Sequence, residues 1–241
     1  HIGITFGTFA PLHVGHQQLI YKSLMNHDAA LVIVSGSDGD RGDKIGLSLE
    51  KRFRYLREAY NDEANLRVAM LNENDIPTYP QGWDEWTLHL LRSIALNIEG
   101  DFEETDFTNY VSEPEYQVEL EKRLPKNIQV ALQNRKSIAI SATEIRENPV
   151  RHWEKINRVF RRHFTKKVLI AGSASTGKST LVRRLARSIN APFSEEYARL
   201  YEETANITDE ELTASDYANF IIGQSRANYN EICSPSNNGV T

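Results

Sequence analysis

The chain has 241 residues, of which 40% are hydrophobic and 25% charged, and its formal net charge is −5 at pH 7. This balance is typical of a globular protein with one large or two modest domains, and it favours neither nucleic acid nor an anionic membrane as a partner. The single cysteine, Cys233, excludes an internal disulfide framework, and no apolar run approaches the roughly 20 residues that span a bilayer. We therefore expect a cytoplasmic protein.

Apolar runs and helical periodicities alternate along the first half of the chain. The run Ala29–Ser35 is continuously apolar, which is typical of a strand buried on both faces. Alternation of this kind predicts an α/β fold with a parallel, Rossmann-like sheet covered by helices on both faces. We expect strands over Ile2–Phe6, Ala29–Ser35, Leu66–Leu71, Phe107–Val111 and Ile128–Leu132, and helices over Val14–Asn26, Ser48–Tyr60, Asp84–Asn97 and Glu115–Leu124.

A second α/β unit begins near Thr165, where the apolar run Lys166–Ala171 predicts a new strand followed by a glycine-bearing loop and a helix. The sequence therefore predicts a first domain over residues 1–149 and a second over 165–241. The segment between them, residues 150–164, is expected to be a basic helix whose charged side chains form a solvated face. Those side chains are Arg158, Arg161, Arg162 and His163.

The loop after the first strand contains His13 and His16, three residues apart at the start of the first predicted helix. Backbone N–H groups at a helix N-terminus favour anions, and imidazoles placed there can donate hydrogen bonds to phosphate oxygens. Fixed donors of this kind lower the barrier when negative charge builds up on a phosphoryl group. A metal pair is the alternative, but it requires further ligands, and no obvious partners are present.

A second motif, Ile140–Arg146, contains a capping box, because Ser141 is followed three residues later by Glu144. The helix that begins here presents another anion-binding N-terminus, and Arg146 lies one turn further on, where its planar guanidinium can reach a phosphate. An ordinary capped helix with a solvent-facing arginine is the alternative for this motif taken alone.

The two motifs together resemble the HxGH nucleotidyltransferase superfamily. The pattern G-x-F-x-P-x-H-x-G-H is matched over residues 7–16, and I-S-x-T-x-I-R is matched over 140–146. The resemblance implies that His13 and His16 stabilise the transition state and that Ser141, Thr143 and Arg146 hold the β- and γ-phosphates of ATP. It also implies nucleotide contacts from the first loop, at Gly7, Thr8 and Phe9.

The segment Tyr79–Trp86 indicates which acceptor substrate receives the adenylyl group, because an electron-poor pyridinium ring stacks well on an indole. We expect Trp86 to stack on nicotinamide mononucleotide, and the alternative is that one or both of Trp83 and Trp86 are core residues. Class I aminoacyl-tRNA synthetases share the histidine loop but need a Lys-Met-Ser-Lys-Ser loop that is absent. Cytidylyl and pantetheine-phosphate acceptors remain alternatives, which the tryptophan pair disfavours.

Residues 172–179 match the phosphate-binding loop G-x-x-x-x-G-K-S, and they lie between a predicted strand and a predicted helix, as that motif requires. In such a loop the backbone N–H groups cradle phosphates, Lys178 bridges the β and γ oxygens, and the hydroxyl of Ser179 binds Mg²⁺. The expected ATP-binding residues are Gly172, Ser173, Ala174, Ser175, Thr176, Gly177, Lys178, Ser179 and Thr180.

Over nearly its whole length the chain resembles the bifunctional bacterial family in which a nicotinamide-nucleotide adenylyltransferase is joined to a ribosylnicotinamide kinase. The resemblance implies that the second half phosphorylates nicotinamide riboside and that the first half converts the resulting mononucleotide to NAD, with ATP and Mg²⁺. The segment Ser194–Arg199 is similar to the riboside-side segment of the family. Glu195, Glu196 or Arg199 could contact the ribose or the phosphates there, or they could form a charged helix face.

A phosphate-binding-loop kinase also needs an acidic residue at the end of a later strand, and no apolar strand ending in Asp follows Ser179, because Leu212–Cys233 is predicted to be helical. The second domain is therefore expected to be the N-terminal portion of a kinase domain, and the alternative hypothesis is a nucleotide-sensing regulatory module whose second half binds ATP without catalysis. We expect small-molecule partners and no nucleic acid, because the family's helix-turn-helix has no counterpart before Ile2. A homo-oligomer is left open.

Overall fold

The computed structural model describes residues 1–78, 80–133 and 140–241, and these form two compact units, residues 1–160 and 161–241. The division falls inside the segment that the sequence predicts to be a linker.

The described part of the first unit is built on a five-stranded sheet with the order β3-β2-β1-β4-β5, in which every neighbouring pair is parallel. Strands β2 and β3 follow one another on one side of β1, and β4 and β5 follow one another on the other side. The strand order therefore reverses between β1 and β4. The strands are β1 (Ile2–Gly7), β2 (Ala29–Gly36), β3 (Leu66–Asn72), β4 (Phe107–Val111) and β5 (Ile128–Leu132). The helices are α1 (Val14–Asn26), α2 (Leu49–Ala59), α3 (Trp83–Asn97), α4 (Pro114–Glu121) and α5 (Ala142–Glu147).

The hydrophobic core of this unit lies between the sheet and the helices α3 and α4. Ile4 and Phe107 of the central strands pack with Leu90 and Ile94 of α3 and with Leu120 of α4, and all five are fully buried. Successive strand side chains point to opposite faces, so the alternate residues of β1 and β2 face the other layer of helices, α1 and α2. The predicted fold class is therefore confirmed, with helices on both faces of a parallel sheet.

The predicted element bounds agree with the structure to within three residues throughout the sheet. The continuous apolar run of β2 is buried along almost its whole length, as expected for a central strand. Helix α2 begins after Ser48, whose hydroxyl accepts a hydrogen bond from the backbone N–H of Lys51.

The prediction of one basic helix over residues 150–164 is wrong. The structure forms a 3-10 turn at Trp153–Lys155 and a short helix, α6, at Arg158–Phe164. Trp153, Ile156 and Phe160 are buried, because their side chains join the first unit, which extends to Phe160. Apolar anchoring at these positions therefore overrides the basic character of the segment.

The described part of the second unit contains the helices α7 (Lys178–Ile189), α8 (Tyr197–Ala205) and α9 (Ala214–Cys233). The predicted strand over Lys166–Ala171 is wrong for the described chain, because only an isolated parallel bridge joins Lys166 to Val240. A strand needs a hydrogen-bonded neighbour along its length, and among residues 1–78, 80–133 and 140–241 the backbone partners of this segment are Gly239 and Thr241.

None of the helices formed by the described residues is long and apolar enough to cross a membrane.

Two leucines of α3 provide a matched test of the core, because Leu90 is fully buried and Leu96 is 74% exposed. We expect Leu90→Ala to lower the free energy of unfolding of the first unit by about 2–5 kcal/mol through the cavity that it leaves. Leu96→Ala should change it by less than about 0.5 kcal/mol. All three tryptophans lie in residues 1–160, so denaturant titration followed by tryptophan fluorescence reports on this unit. Equal losses from the two variants would contradict the assignment of the core.

Candidate functional site

A cavity of about 1010 Å³ opens at the carboxyl ends of the parallel strands in the first unit. Its walls include Gly7 at the end of β1, Ser35 of β2 and Val111 of β4, together with the start of α1 and the start of α5. The cavity therefore lies where the strand order reverses, which is the position at which open parallel sheets bind ligands.

The predicted histidine pair lies in the wall of this cavity. His13 is the N-cap of α1, and its Nδ1 accepts a hydrogen bond of 3.1 Å from the backbone N–H of Gly15. The rings of His13 and His16 are stacked, with centroids 3.8 Å apart. Because Nδ1 of His13 accepts, a neutral ring carries its proton on Nε2 and can act as a donor there.

The loop before α1 is held by packing of the Phe9 ring and by backbone contacts with Ile156 and Asn157. Phe9 adopts a left-handed backbone conformation with φ of 46°, and its buried ring meets the edge of the His16 ring at 5.0 Å. On the outer side, His13 forms an antiparallel bridge with Ile156, and the backbone N–H of Asn157 donates to the carbonyl of Leu12. These contacts explain why residues up to Phe160 belong to this unit.

The second predicted motif brings its residues to the same cavity. Ser141 caps α5, since its hydroxyl accepts from the backbone N–H of Glu144, whose carboxylate accepts from the Ser141 backbone. Arg146 donates to the carbonyl of Ala10 at 2.7 Å and to the hydroxyl of Thr143 at 2.8 Å. The alternative of a solvent-facing arginine is therefore wrong, because Arg146 crosses to the first loop.

Arg41 is a second cation in the cavity wall, and the sequence motifs do not point to it. Partial burial and then repulsion from Arg41 lower the pKa of the Arg146 guanidinium below its usual value. Two neighbouring guanidinium groups in one cavity favour an anionic ligand between them. The usable signal in the sequence is the polar loop Ser37–Asp43, which directly follows the buried strand β2.

The two predicted tryptophans lie in different environments near the aromatic end of the cavity. Trp83 is 9% exposed and belongs to the hydrophobic core, whereas Trp86 lines the cavity. The indole N–H of Trp86 donates to Glu73 at 2.8 Å, and its ring meets Phe6 edge-to-face at 4.9 Å. Tyr79, which opens the predicted aromatic segment, lies outside the described residues.

Tyr116 completes this aromatic end, with its ring 5.5 Å from that of Phe6. Burial raises the pKa of the Tyr116 phenol, and the nearby carboxylates of Glu113 and Glu73 raise it further. The phenol therefore stays protonated in the neutral pH range, and this end of the cavity is apolar with an acidic border.

A third region of the cavity follows the outer face of α1. Lys22 donates to the side chain of Gln133 at 2.5 Å and lies 5.9 Å from the ring centroid of Tyr110. Met25, also in the wall, is 84% exposed. Sequence reasoning missed these residues, because a lysine and a methionine on a helix carry no motif.

The phosphate-binding loop is described by itself, in the second unit. Gly177 has φ of 85° and directly precedes α7, which begins at Lys178. The ammonium of Lys178 donates to the carbonyl of Ser173 at 2.7 Å, and the Thr176 hydroxyl donates to the same carbonyl. The loop from Gly172 to Gly177 thus curls around the Lys178 side chain, with Ser179 and Thr180 in the first turn of the helix. Ala174 and Ser175 lie at the exposed tip.

The predicted riboside-side residues have local partners in the structure. Glu195 forms a two-bond ion pair with Arg183 of α7, at 2.9 Å for each hydrogen bond. Glu196 is the N-cap of α8, and its carboxylate lies 3.9 Å from Arg199. All three predicted residues are exposed or half-exposed, so their role stays a prediction.

Within residues 1–78, 80–133 and 140–241, no group of three or more His, Cys, Asp or Glu side chains could hold a metal ion. The interpretation of His13 and His16 as a metal pair is therefore not supported in this part of the chain.

Comparison with known proteins identifies the relatives of the chain. A solved structure of NadR protein in complex with NAD and AMP-PNP is 60% identical, with a TM-score of 0.90, over 100% of this chain and 68% of that one. A second, of NadR protein in complex with NR, is 60% identical with a TM-score of 0.92, over 99% of this chain and 66% of that one. The chain belongs to the NadR family.

Curated members of the NadR family are more distant and longer. The trifunctional NAD biosynthesis/regulator protein NadR of Escherichia coli (strain K12) is 32% identical over 237 residues, which is 93% of this chain and 56% of that protein. The protein of the same name from Salmonella typhimurium is also 32% identical, over 239 residues. The chain thus spans a little over half the length of these relatives. In addition, residues 167–241 match a family described as AAA domain.

The capping box that begins α5 gives a pH-dependent prediction. Hydrogen bonds from the Ser141 backbone and then from its hydroxyl lower the pKa of Glu144 below its usual value of 4.5. A lowered pKa means that the cap stabilises the helix above the usual pKa and that this contribution is lost as pH falls through the lowered one. Ser141→Ala should move the titration midpoint of Glu144 upward, toward 4.5, as measured by NMR. Equal midpoints in the two proteins would contradict the cap.

Proposed function

We propose that the first unit transfers the adenylyl group of ATP to nicotinamide mononucleotide, which yields NAD and pyrophosphate. The observation that carries the proposal is the composition of the cavity at the sheet edge. Two histidines and two arginines lie at one part of it, and an aromatic wall with an acidic border lies at another. This division suits a substrate pair with a polyphosphate on one side and a cationic ring on the other. The NAD complex of a 60% identical relative supports the same conclusion.

The proposed reaction is attack by a phosphate oxygen of the mononucleotide on the α-phosphorus of ATP, with pyrophosphate as the leaving group. In this step negative charge increases on the α-phosphate and on the leaving oxygens. His13 and His16, held at the N-terminus of α1, donate to the oxygens on which that charge develops. Arg146 and Arg41 hold the pyrophosphate portion, and Ser141 and Thr143 border it. The protein needs no covalent intermediate, because positioning and electrostatics lower the barrier.

The mononucleotide would place its pyridinium ring against Trp86. The hydrogen bond from the indole N–H to Glu73 fixes the Trp86 ring, and the acidic border suits a positively charged ring. The adenosine of ATP would then occupy the region along α1, near Lys22, Met25 and Tyr110. Gly7, Thr8 and Phe9 line the junction between the two regions.

The residues present fit a Mg²⁺ ion that is held mainly by the nucleotide. Ser179 offers one hydroxyl in the first turn of α7, and phosphate oxygens and water would supply the remaining ligands. Mg²⁺ would neutralise phosphate charge in both units.

For the second unit we propose ATP binding at the phosphate-binding loop and, in the whole protein, phosphorylation of nicotinamide riboside. The loop geometry around Lys178 supports nucleotide binding, and the relative solved with NR supports the riboside. A purely nucleotide-sensing role is the competing outcome, and riboside-dependent release of ADP distinguishes the two.

The first test is NAD formation by this chain from ATP, Mg²⁺ and nicotinamide mononucleotide, with His16→Ala as the variant. The wild-type chain should form NAD and pyrophosphate in equal amounts. The variant should lose at least about a hundredfold in turnover, the effect of removing a transition-state donor. His89→Ala, which replaces an exposed histidine of α3 outside the cavity wall, should retain activity. Tryptophan fluorescence checks that each protein is folded.

No NAD from a folded wild-type chain would overturn the proposed function, and turnover with a cytidylyl or pantetheine acceptor would replace it. Normal turnover by His16→Ala would remove that histidine from the mechanism.

The second unit gives a separate prediction for Lys178. We expect Lys178→Ala to weaken ATP binding to this unit at least about tenfold, because a charge-assisted hydrogen bond to phosphate contributes about 1.5–3 kcal/mol. Lys167→Ala, which replaces an exposed lysine of the same unit, is the matched control. Titration with a fluorescent ATP analogue in an Arg146→Ala background, which removes a proposed phosphate contact of the first unit, measures this binding. Equal affinities for the two lysine variants would exclude the loop as the site.

A further inference from the structure

Arg52 of α2 is fully buried, although it carries a charge and belongs to none of the motifs. Its guanidinium donates to the carbonyls of Thr8 at 2.7 Å and Ser35 at 3.2 Å, and its Nε donates to the carbonyl of Ser48 at 3.3 Å. Arg52 also forms an ion pair of 2.7 Å with the carboxylate of Asp40. One side chain thus joins the first loop, the end of β2 and the start of α2.

Asp40 links Arg52 to the backbone of the loop Ser37–Asp43. One carboxylate oxygen accepts from Arg52, and the other accepts from the backbone N–H groups of Gly42 at 2.7 Å and Asp43 at 2.8 Å. Arg41 lies between the residues that are tied in this way, and its side chain lines the cavity. The backbone on both sides of Arg41 is therefore fixed by a single carboxylate.

Two glycines leave the space in which the ion pair sits. A Cβ atom on Gly36 would lie 2.4 Å from the Asp40 carboxylate and 2.5 Å from the Arg52 guanidinium. A Cβ atom on Gly42 would lie 2.9 Å from Nε of Arg52 and 3.0 Å from the side chain of Ala10. The pair is thus enclosed by backbone on two sides, so its geometry is tightly determined.

We propose that Arg52 and Asp40 are positioning residues, which act through Arg41 on the anionic substrate groups in the cavity. The proposal rests on the proposed function, since the anion is taken to be the polyphosphate of ATP. Arg146 already contacts the first loop at Ala10, and Arg41 lines the same cavity. Mutual repulsion would push Arg41 away from Arg146, so a fixed loop is needed to keep both cations at the site.

The test uses Asp40→Asn, because removal of Arg52 would leave a buried carboxylate and several buried carbonyls without their donor. The amide oxygen of the substituted side chain can still accept from the loop backbone, but the charge that pairs with Arg52 is lost. Loss of a negative charge beside an anion site would by itself tighten ATP binding. Positioning predicts the opposite sign, so the direction of the change separates the two explanations.

The measurement is the KM for ATP and the kcat of NAD formation for the wild type, Asp40→Asn, Arg41→Ala and the double variant. We expect each single variant to raise KM for ATP about tenfold and the double variant to be no worse than Arg41→Ala. Asp38→Asn is the matched control, because it removes an exposed carboxylate from the same loop without touching Arg52. It should leave KM unchanged or lower it.

Two outcomes overturn the inference. A lowered KM in Asp40→Asn would show that only the charge matters. If Asp40→Asn raises KM for ATP by the same factor in the wild type and in Arg41→Ala, the ion pair stabilises the fold and does not act through Arg41. If the chain forms no NAD, the proposed function fails, but the positioning role can still be tested. The affinity for inorganic pyrophosphate is then measured for the same four proteins in a Lys178→Ala background. Additive losses of affinity there would likewise overturn the positioning role.

Discussion

The first unit depends on how the loop Thr8–Ala10 is held between two arginines. Arg52 of α2 donates to the carbonyl of Thr8, and Arg146 of α5 donates to the carbonyl of Ala10, both at 2.7 Å. The loop leads directly into His13, so these contacts set the start of α1 and the stacked histidine pair. Backbone carbonyls at a strand end have no ladder partners, and guanidinium groups satisfy them while leaving the loop open toward the cavity.

The cavity brings together segments that are far apart in the chain. The histidines come from the first connection, Arg41 from the second, Trp86 from the third and Arg146 from beyond the last strand of the described sheet. This convergence follows from the parallel arrangement, because all carboxyl ends meet at one edge, and the reversal of strand order parts the connections there. Charged and aromatic side chains are then divided between two parts of one cavity.

In the second unit, the sequence motif specifies the conformation of the phosphate-binding loop, although the described residues before it form no strand. The phosphate-binding loop curls around Lys178 and leads into α7 through local backbone contacts, and Gly177 adopts the positive φ that this turn requires. The segment before the loop, by contrast, pairs with residues 239–241 and forms no strand in the described part of the chain. Local hydrogen bonds therefore shape the loop, whereas a strand depends on neighbours that are distant in sequence.

For the first unit, the sequence by itself determined the parallel α/β class, the order of the five strands, and the histidine and capping-box motifs, and for the second unit it determined the phosphate-binding loop. Periodicity, capping residues and glycine positions make this possible, because they act over a few neighbouring residues. Only the tertiary structure decided that Trp83 is core while Trp86 lines the cavity, that Ile156 and Asn157 contact the histidine loop, and that Arg41 lines the cavity while Arg52 contacts the first loop. The physical reason is that burial and ion pairing join residues across different elements. Arg52 and Asp40, twelve positions apart, carry no local pattern that predicts their contact.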